Sequence, residues 1–304
     1  MQNWKRLGLI FKPEWQEGEA RSHAAVPFIT SIKDSIARIF FTARNKDNRS
    51  LMSYVDFDLS SLKIAKLSRS PIFLPGNPGF FDEDGVMGCD SLEINDERLM
   101  YYIGWNRAAV VPFRNSIGVA RIEGERIERS FSGPVLDRSK HDPCFVASCC
   151  VIPYKGSYLM YYLSCVNWKL IKGSWRHYYH IKIATSENGL DWSPTGRVAI
   201  DFRYSNEYAI SVPRVVKEDD LYKMWFSFRG GPSSDKYRIG YAESGDGLSW
   251  QRKDEEVSFS GAPGDWESDM ACYPYVFSFK SRRYMLYNGN GYGQTGFGLA
   301  VLEE

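Results

Sequence analysis

A repeat of about sixty residues runs the length of the chain and constrains its fold more than any other feature. Five short apolar runs, each followed by a polar or Gly/Pro break, mark it: Leu9-Ile10-Phe11, Pro71-Ile72-Phe73, Pro134-Val135-Leu136, Val198-Ala199-Ile200 and Val257-Ser258-Phe259. Between these marks the same three segments return in the same order. The first begins at Ala24, Gly88, Ala147, Ile210 and Ala271; the second, alternating and aromatic, covers 37–42, 99–103, 158–163, 221–226 and 284–287. The third covers 50–57, 116–122, 180–185, 237–242 and 295–301. Each has the period-two pattern of a half-buried strand, and the apolar marks supply a fourth. Two of the hairpins joining strands three and four share a signature, Ser186-Glu187-Asn188-Gly189-Leu190-Asp191-Trp192 and Ser244-Gly245-Asp246-Gly247-Leu248-Ser249-Trp250. Asn-Gly and Asp-Gly supply the positive φ of a tight turn, and the Trp that follows can lock between sheets. The inner-strand cysteines and the run Tyr158 to Tyr162 read as core.

Four antiparallel strands repeated five times, with no amphipathic helix between them, predict an all-β fold: a five-bladed β-propeller of four-stranded antiparallel blades. The last repeat runs out after three strands, while the chain begins with an orphan fourth strand at Leu9 to Phe11. The ring is therefore expected to close by an N-terminal strand in the last blade. The expected organisation is one domain over 1–304, with blades at approximately 21–74, 84–137, 144–201, 207–260, and 267–304 plus 7–12.

Composition narrows the function classes. A net charge of +1 lacks the basic excess of a phosphate-backbone binder, so no nucleic-acid partner is expected. No apolar run reaches the ~18 residues of a membrane span, and no cleavable leader is evident at Met1 to Leu9, so no membrane partner and a cytoplasmic location are expected. The six cysteines show no zinc-site spacing and are expected to be reduced thiols. His177 and His180 lie three apart in a stretch entering a strand, which points them to opposite faces, so no metal is expected and no other cofactor either. No obligate protein partner is expected.

In a propeller, one axial face carries both the loops leading into the inner strands and the loops between strands two and three, and function is sought there. These loops hold carboxylates, amides, cations and aromatics, whereas the opposite turns hold solvated charge. Acids beside Trp and Tyr fit sugar chemistry, because an aromatic ring covers one face of a sugar while polar groups bond its hydroxyls. Glycosidic cleavage needs a protonated acid and an ionised carboxylate. A Glu desolvated against an aromatic ring can serve as the acid, a role open to Glu207 beside Tyr208 and to Glu267 beside Trp266. Asp84, next to Gly85, is the candidate ionised partner, with Asp269 in reserve. The candidate substrate-binding residues are Arg21, His23, Arg44, Trp105, Arg214, Arg229, Trp266, Asp269, Tyr273 and Asn288. The four arginines could converge on a phosphate or on the carboxylate of an acidic sugar, or equally pair with the acids as a structural network.

With the Ala184 to Trp192 and Ala242 to Trp250 hairpins and the closing segment Tyr284 to Gly293, the chain resembles the five-bladed propeller glycoside hydrolases. That group holds family 43 arabinanases and xylosidases, family 32 and 68 fructosidases and family 130 mannoside phosphorylases. The resemblance implies acids from successive inner strands around a central funnel. The chain departs from it in the first blade, which offers Arg21 and His23 where families 43 and 32 place an Asp, and in the third, which offers Asp142 and Cys144 where a Glu is expected. Three activities stand open: a glycoside hydrolase of a small oligosaccharide or glycoconjugate, a non-catalytic glycan-binding propeller, and a phosphate-dependent phosphorylase. If the first holds, Glu207→Gln and Asp84→Asn should each abolish turnover and leave the melting temperature nearly unchanged.

Overall fold

The structure is a computed structural model that describes residues 1–15, 18–231 and 235–303. Among them no helix exceeds four residues. The chain forms a five-bladed β-propeller. Blade one comprises Ser22–Lys33, Ile36–Arg44, Ser50–Asp58 and Lys63–Leu67; blade two Gly85–Ile94, Glu97–Arg107, Phe113–Glu123 and Arg126–Arg129. Blade three comprises Phe145–Tyr154, Ser157–Ile171, Ser174–Ser186 and Ser193–Ile200, and blade four Ala209–Glu218, Leu221–Arg229, Arg238–Ser244 and Gln251–Arg252. Blade five takes Cys272–Phe279, Arg282–Asn288 and Phe297–Leu302 from the end of the chain and Gln2–Phe11 from its start. The two ends pair antiparallel, Trp4 opposite Leu302 and Arg6 opposite Ala300, which is the expected closure.

The outer strands differ from expectation. Pro71 to Phe73 and Pro134 to Leu136 contribute only single bridges, Phe73 to Met52 and Leu136 to Ile117, because the strand before each has already paired with the outer half of strand three. Val257–Ser260 leaves blade four altogether and runs parallel to Gln2–Phe11, adding a fifth strand to blade five. The N-terminal strand is also longer than its apolar tip suggests, since it starts at Gln2.

Every inner strand carries a register shift, and the sequence shows why in three of them. Val26, Val212 and Tyr273 have φ of 51, 48 and 57, and each precedes a proline, Pro27, Pro213 or Pro274, which has no N–H to give to the ladder. The N–H at each bulge is taken by a side chain of an adjacent blade. Val26 N donates to Asn288 Oδ1 (2.8 Å), Val212 N to Ser148 Oγ (3.0 Å) and Tyr273 N to Ser227 Oγ (2.7 Å). Asn288 also donates to Ala24 O (2.7 Å) and Gly296 O (2.9 Å), so this one amide fastens blade five to blade one. The Asn-Gly and Asp-Gly hairpins dock on the blade before them. Gly189 and Gly247, both at φ 74, offer their carbonyls to the hydroxyls of Tyr101 (2.8 Å) and Tyr161 (2.7 Å). Trp192 and Trp250 set their rings edge-on against the same two tyrosines.

Candidate functional site

Most entering loops place an acid just before the inner strand, but that acid turns into its own blade. Asp82 accepts from Arg129 Nε (2.7 Å) on the outer strand and from the Tyr102 hydroxyl (3.2 Å). Asp142 accepts from Ser164 Oγ (2.6 Å) and the Tyr162 hydroxyl (3.0 Å), with Lys182 Nζ at 3.6 Å. Glu207 receives both Arg252 terminal nitrogens (2.8 and 2.9 Å) and Arg203 N (2.5 Å), and Glu267 receives Arg6 Nε (3.1 Å). These four carboxylates are 0–5% exposed, and each ties the start of an inner strand to a cation further out in the same blade. In blade one the loop acid Glu19 is exposed instead, and Phe41 packs on Phe11 (4.9 Å between centroids), Phe297 (5.7 Å) and Trp15 (6.3 Å).

Glu207 and Glu267 are therefore staples of blades four and five, and the structure does not bring them together with each other or with Asp84. Asp84 lies at the rim between blades one and two, accepting from Arg107 N (2.8 Å) with Arg49 and Arg107 both at 3.7 Å. Trp266 packs on Tyr287 (5.3 Å) against Gly289 and Gly298 inside blade five, and Asn288 is consumed by the ring closure. Asp269 is an exposed rim residue paired with Lys236 (2.6 Å), and Arg21 is exposed. Arg214, from blade four, crosses the axis to Asp90 of blade two (3.0 Å), donates to Val276 O of blade five (3.0 Å) and lies over Tyr275 (4.0 Å). This pair spans the axis midway along the inner strands.

Above it, on the axial face picked out by the sequence, a funnel of about 350 Å³ is lined from all five blades. His23, Arg44, Arg229 and Tyr273 line it as expected. Strand three of blade three adds residues that the sequence reading missed, His177 and Tyr179; Tyr237, just before strand three of blade four, and Tyr292, in the loop after Asn288, join them. Arg229 is caged by aromatic rings, with Tyr208 and Tyr237 at 4.9 Å and Tyr292 at 5.9 Å, and its Nη1 donates to the Tyr292 hydroxyl (2.8 Å). Arg44 donates to Asn48 Oδ1 (2.8 Å). Among the described residues no carboxylate lines the funnel, and none lies within ion-pair distance of either guanidinium. Arg229 Nε, His177 Nδ1 and Thr42 Oγ1 are buried polar atoms without a hydrogen-bond partner among the described residues.

Two imidazoles complete the site. His23 is held at φ 65 with Nδ1 against Ser22 Oγ (2.8 Å); His177 stacks on Tyr179 (4.9 Å, 9°). Burial, helped by the Arg44 charge, pushes His23 down to about 4, and burial with Arg229 and Arg176 does the same to His177. Both are neutral at pH 7. Burial pushes the Tyr179, Tyr237 and Tyr273 hydroxyls upward, so they stand as protonated donors, Tyr179 and Tyr237 bonded to each other. Within strand three of blade three the alternation holds: His177 faces the funnel, and His180 faces away to Asp201 (2.9 Å). Among the described residues no cluster of three or more His, Cys, Asp or Glu forms a metal cage.

The ring has the five-bladed propeller fold seen in solved glycoside hydrolase structures. A solved structure of a BT0996 RGII complex superposes with a TM-score of 0.76 at 16% identity, over 98% of this chain and 90% of that one. A family 130 structure, from work on mannoside phosphorylases and glycoside hydrolases that target β-1,2 mannosidic linkages in Candida mannan, gives 0.74 at 15%, over 98% and 93%. A thermostable family 43 glycoside hydrolase gives 0.65 at 16%, over 95% and 90%. At these identities the likeness is one of fold. No protein-family model matches the chain. In sequence it is 41% identical over 303 residues, 99% of either protein, to the uncharacterized protein Rv1502 of Mycobacterium tuberculosis, and it belongs to that protein's family.

Proposed function

We propose that the funnel binds a sugar carrying an anionic group, a carboxylate or a phosphate ester, and that the protein is a glycan-binding propeller rather than a glycosidase working by paired carboxylates. The observation that carries this reading is the pairing pattern. Arg44 and Arg229 face a pocket lined from five blades with no carboxylate beside them among the described residues, while Glu207 and Glu267 are bound to arginines elsewhere. Guanidinium nitrogens without an acid offer charge-assisted bonds to an oxyanion. The tyrosine rings offer faces to a sugar, and their protonated hydroxyls donate to its oxygens.

A charge-assisted hydrogen bond is worth about 1.5–3 kcal/mol, so an anionic sugar should bind roughly ten- to a hundredfold more tightly than its neutral parent. Calorimetric titration with glucuronate, galacturonate and hexose 6-phosphates, beside the parent hexoses, measures that ratio. Arg229→Gln should remove it. Equal affinity for charged and neutral sugars would overturn the reading. So would release of free sugar from neutral glycosides, with or without inorganic phosphate, that disappears in Asp84→Asn.

A further inference from the structure

The funnel opens sideways into a second compartment of about 380 Å³ over blades one and two. Arg44, Met87 and Phe113 line both, so the two are halves of one cleft. The halves differ in chemistry. The inner one holds Arg229, the imidazoles and the tyrosine hydroxyls. The outer one holds Trp105, Arg107, Asn115 and Asn48, with Pro112 at its edge. Trp105 is fixed in orientation, because Nε1 donates to Ser50 Oγ (2.6 Å), and Gly85 brings bare backbone against the ring, where a Cβ would stand 2.2 Å from that nitrogen. No hydrogen bond within the protein engages the Asn115 carboxamide among the described residues.

Resting on the anionic-sugar reading, we infer that this cleft takes two linked units of an oligosaccharide. The unit that carries the anionic group occupies the inner half; its neighbour lies in the outer half, where Trp105 and Asn115 hold it. Arg44, between the halves, contacts both. The fixed indole gives the second unit a packing surface at low entropic cost, which is where an added sugar gains affinity.

The experiment compares two probes built on whichever uronate binds in the monosaccharide titration: the monosaccharide and a disaccharide ending in that uronate. The wild-type protein is expected to bind the disaccharide at least tenfold more tightly than the monosaccharide. Trp105→Ala and Asn115→Ala should each lower disaccharide affinity at least fivefold more than monosaccharide affinity, and Asn115→Ala covers the case in which the Trp105 variant fails to fold. A disaccharide that binds no better than the monosaccharide, or a gain that survives both substitutions, would overturn the inference while leaving the anionic funnel standing. Absence of binding by every uronate and sugar phosphate would overturn both.

Discussion

Glu207→Gln separates a catalytic acid from a blade staple. The carboxylate is 2% exposed and accepts both terminal nitrogens of Arg252, 2.8 and 2.9 Å away, together with the backbone N–H of Arg203. The amide can accept one of the guanidinium bonds but must turn an NH₂ toward the other nitrogen, and it removes the charge that balances Arg252. Breaking a buried ion pair by removing one partner costs about 3–5 kcal/mol. Arg252 keeps Asp254 at 2.6 Å, which places the expected loss at the lower end, about 3 kcal/mol. A domain of this size loses about 2 °C per kcal/mol, so the melting temperature should fall by roughly 6 °C. Arg252 Cζ also lies over Phe226 and Phe228 at 5.3 and 5.1 Å, so the loosened cation disturbs the middle of blade four and leaves the funnel lining in place. The assay is thermal unfolding of the variant beside binding of the anionic sugar. The expectation is a clear loss of stability with affinity within twofold of wild type. An unchanged melting temperature with turnover or binding abolished would refute the staple and restore Glu207 as a site residue, the result first expected from the sequence.

Three further outcomes follow from the same contacts. An anion beside His23 and His177 raises imidazole pKa values that burial holds at about 4, so binding takes up protons, and uronate affinity should rise roughly tenfold between pH 7 and 5, read by calorimetry at each pH. Without ligand the sign reverses for stability: the unfolded chain binds protons on these histidines from about pH 6.5 and the folded one only near 4, so the melting temperature should fall as pH drops through that window. Asn288→Ala strands the Val26 N–H and the Ala24 carbonyl in the interior, and at about 1–3 kcal/mol for each stranded group it should cost more stability than any single staple, measured by denaturant unfolding.

The ring was legible in the sequence because its period, its Asn-Gly and Asp-Gly turns and the orphan strand at Leu9 to Phe11 are local signals that blade geometry repeats. The broken outer strands were not, since Phe73 and Leu136 look like strand residues and only the pairing already made by Lys63–Leu67 and Arg126–Arg129 leaves them a single bridge each. The axial face that carries the funnel could be read from loop composition, and the lining residues His23, Arg44, Arg229 and Tyr273 with it. The direction of the acids could not. Asp82, Asp142, Glu207 and Glu267 stand where catalytic acids of such a ring could stand, but their cations come from strands 40 or more residues away, or from the other end of the chain in the case of Arg6. One signal was available: each of these four acids has an Arg or Lys in an outer strand of its own blade. His177 and Tyr179 were missed because strand three of blade three begins at Ser174, six residues before its apolar pattern does.

The account stands most directly on where an anionic sugar sits. A crystal structure of the protein soaked with the uronate or sugar phosphate that binds most tightly should show its carboxylate or phosphate oxygens within hydrogen-bond distance of Arg229 and Arg44, with Glu207 and Glu267 still bound to Arg252 and Arg6. A ligand whose glycosidic oxygen lies instead against Asp84, or one that displaces Arg252 or Arg6 from its acid, would contradict it.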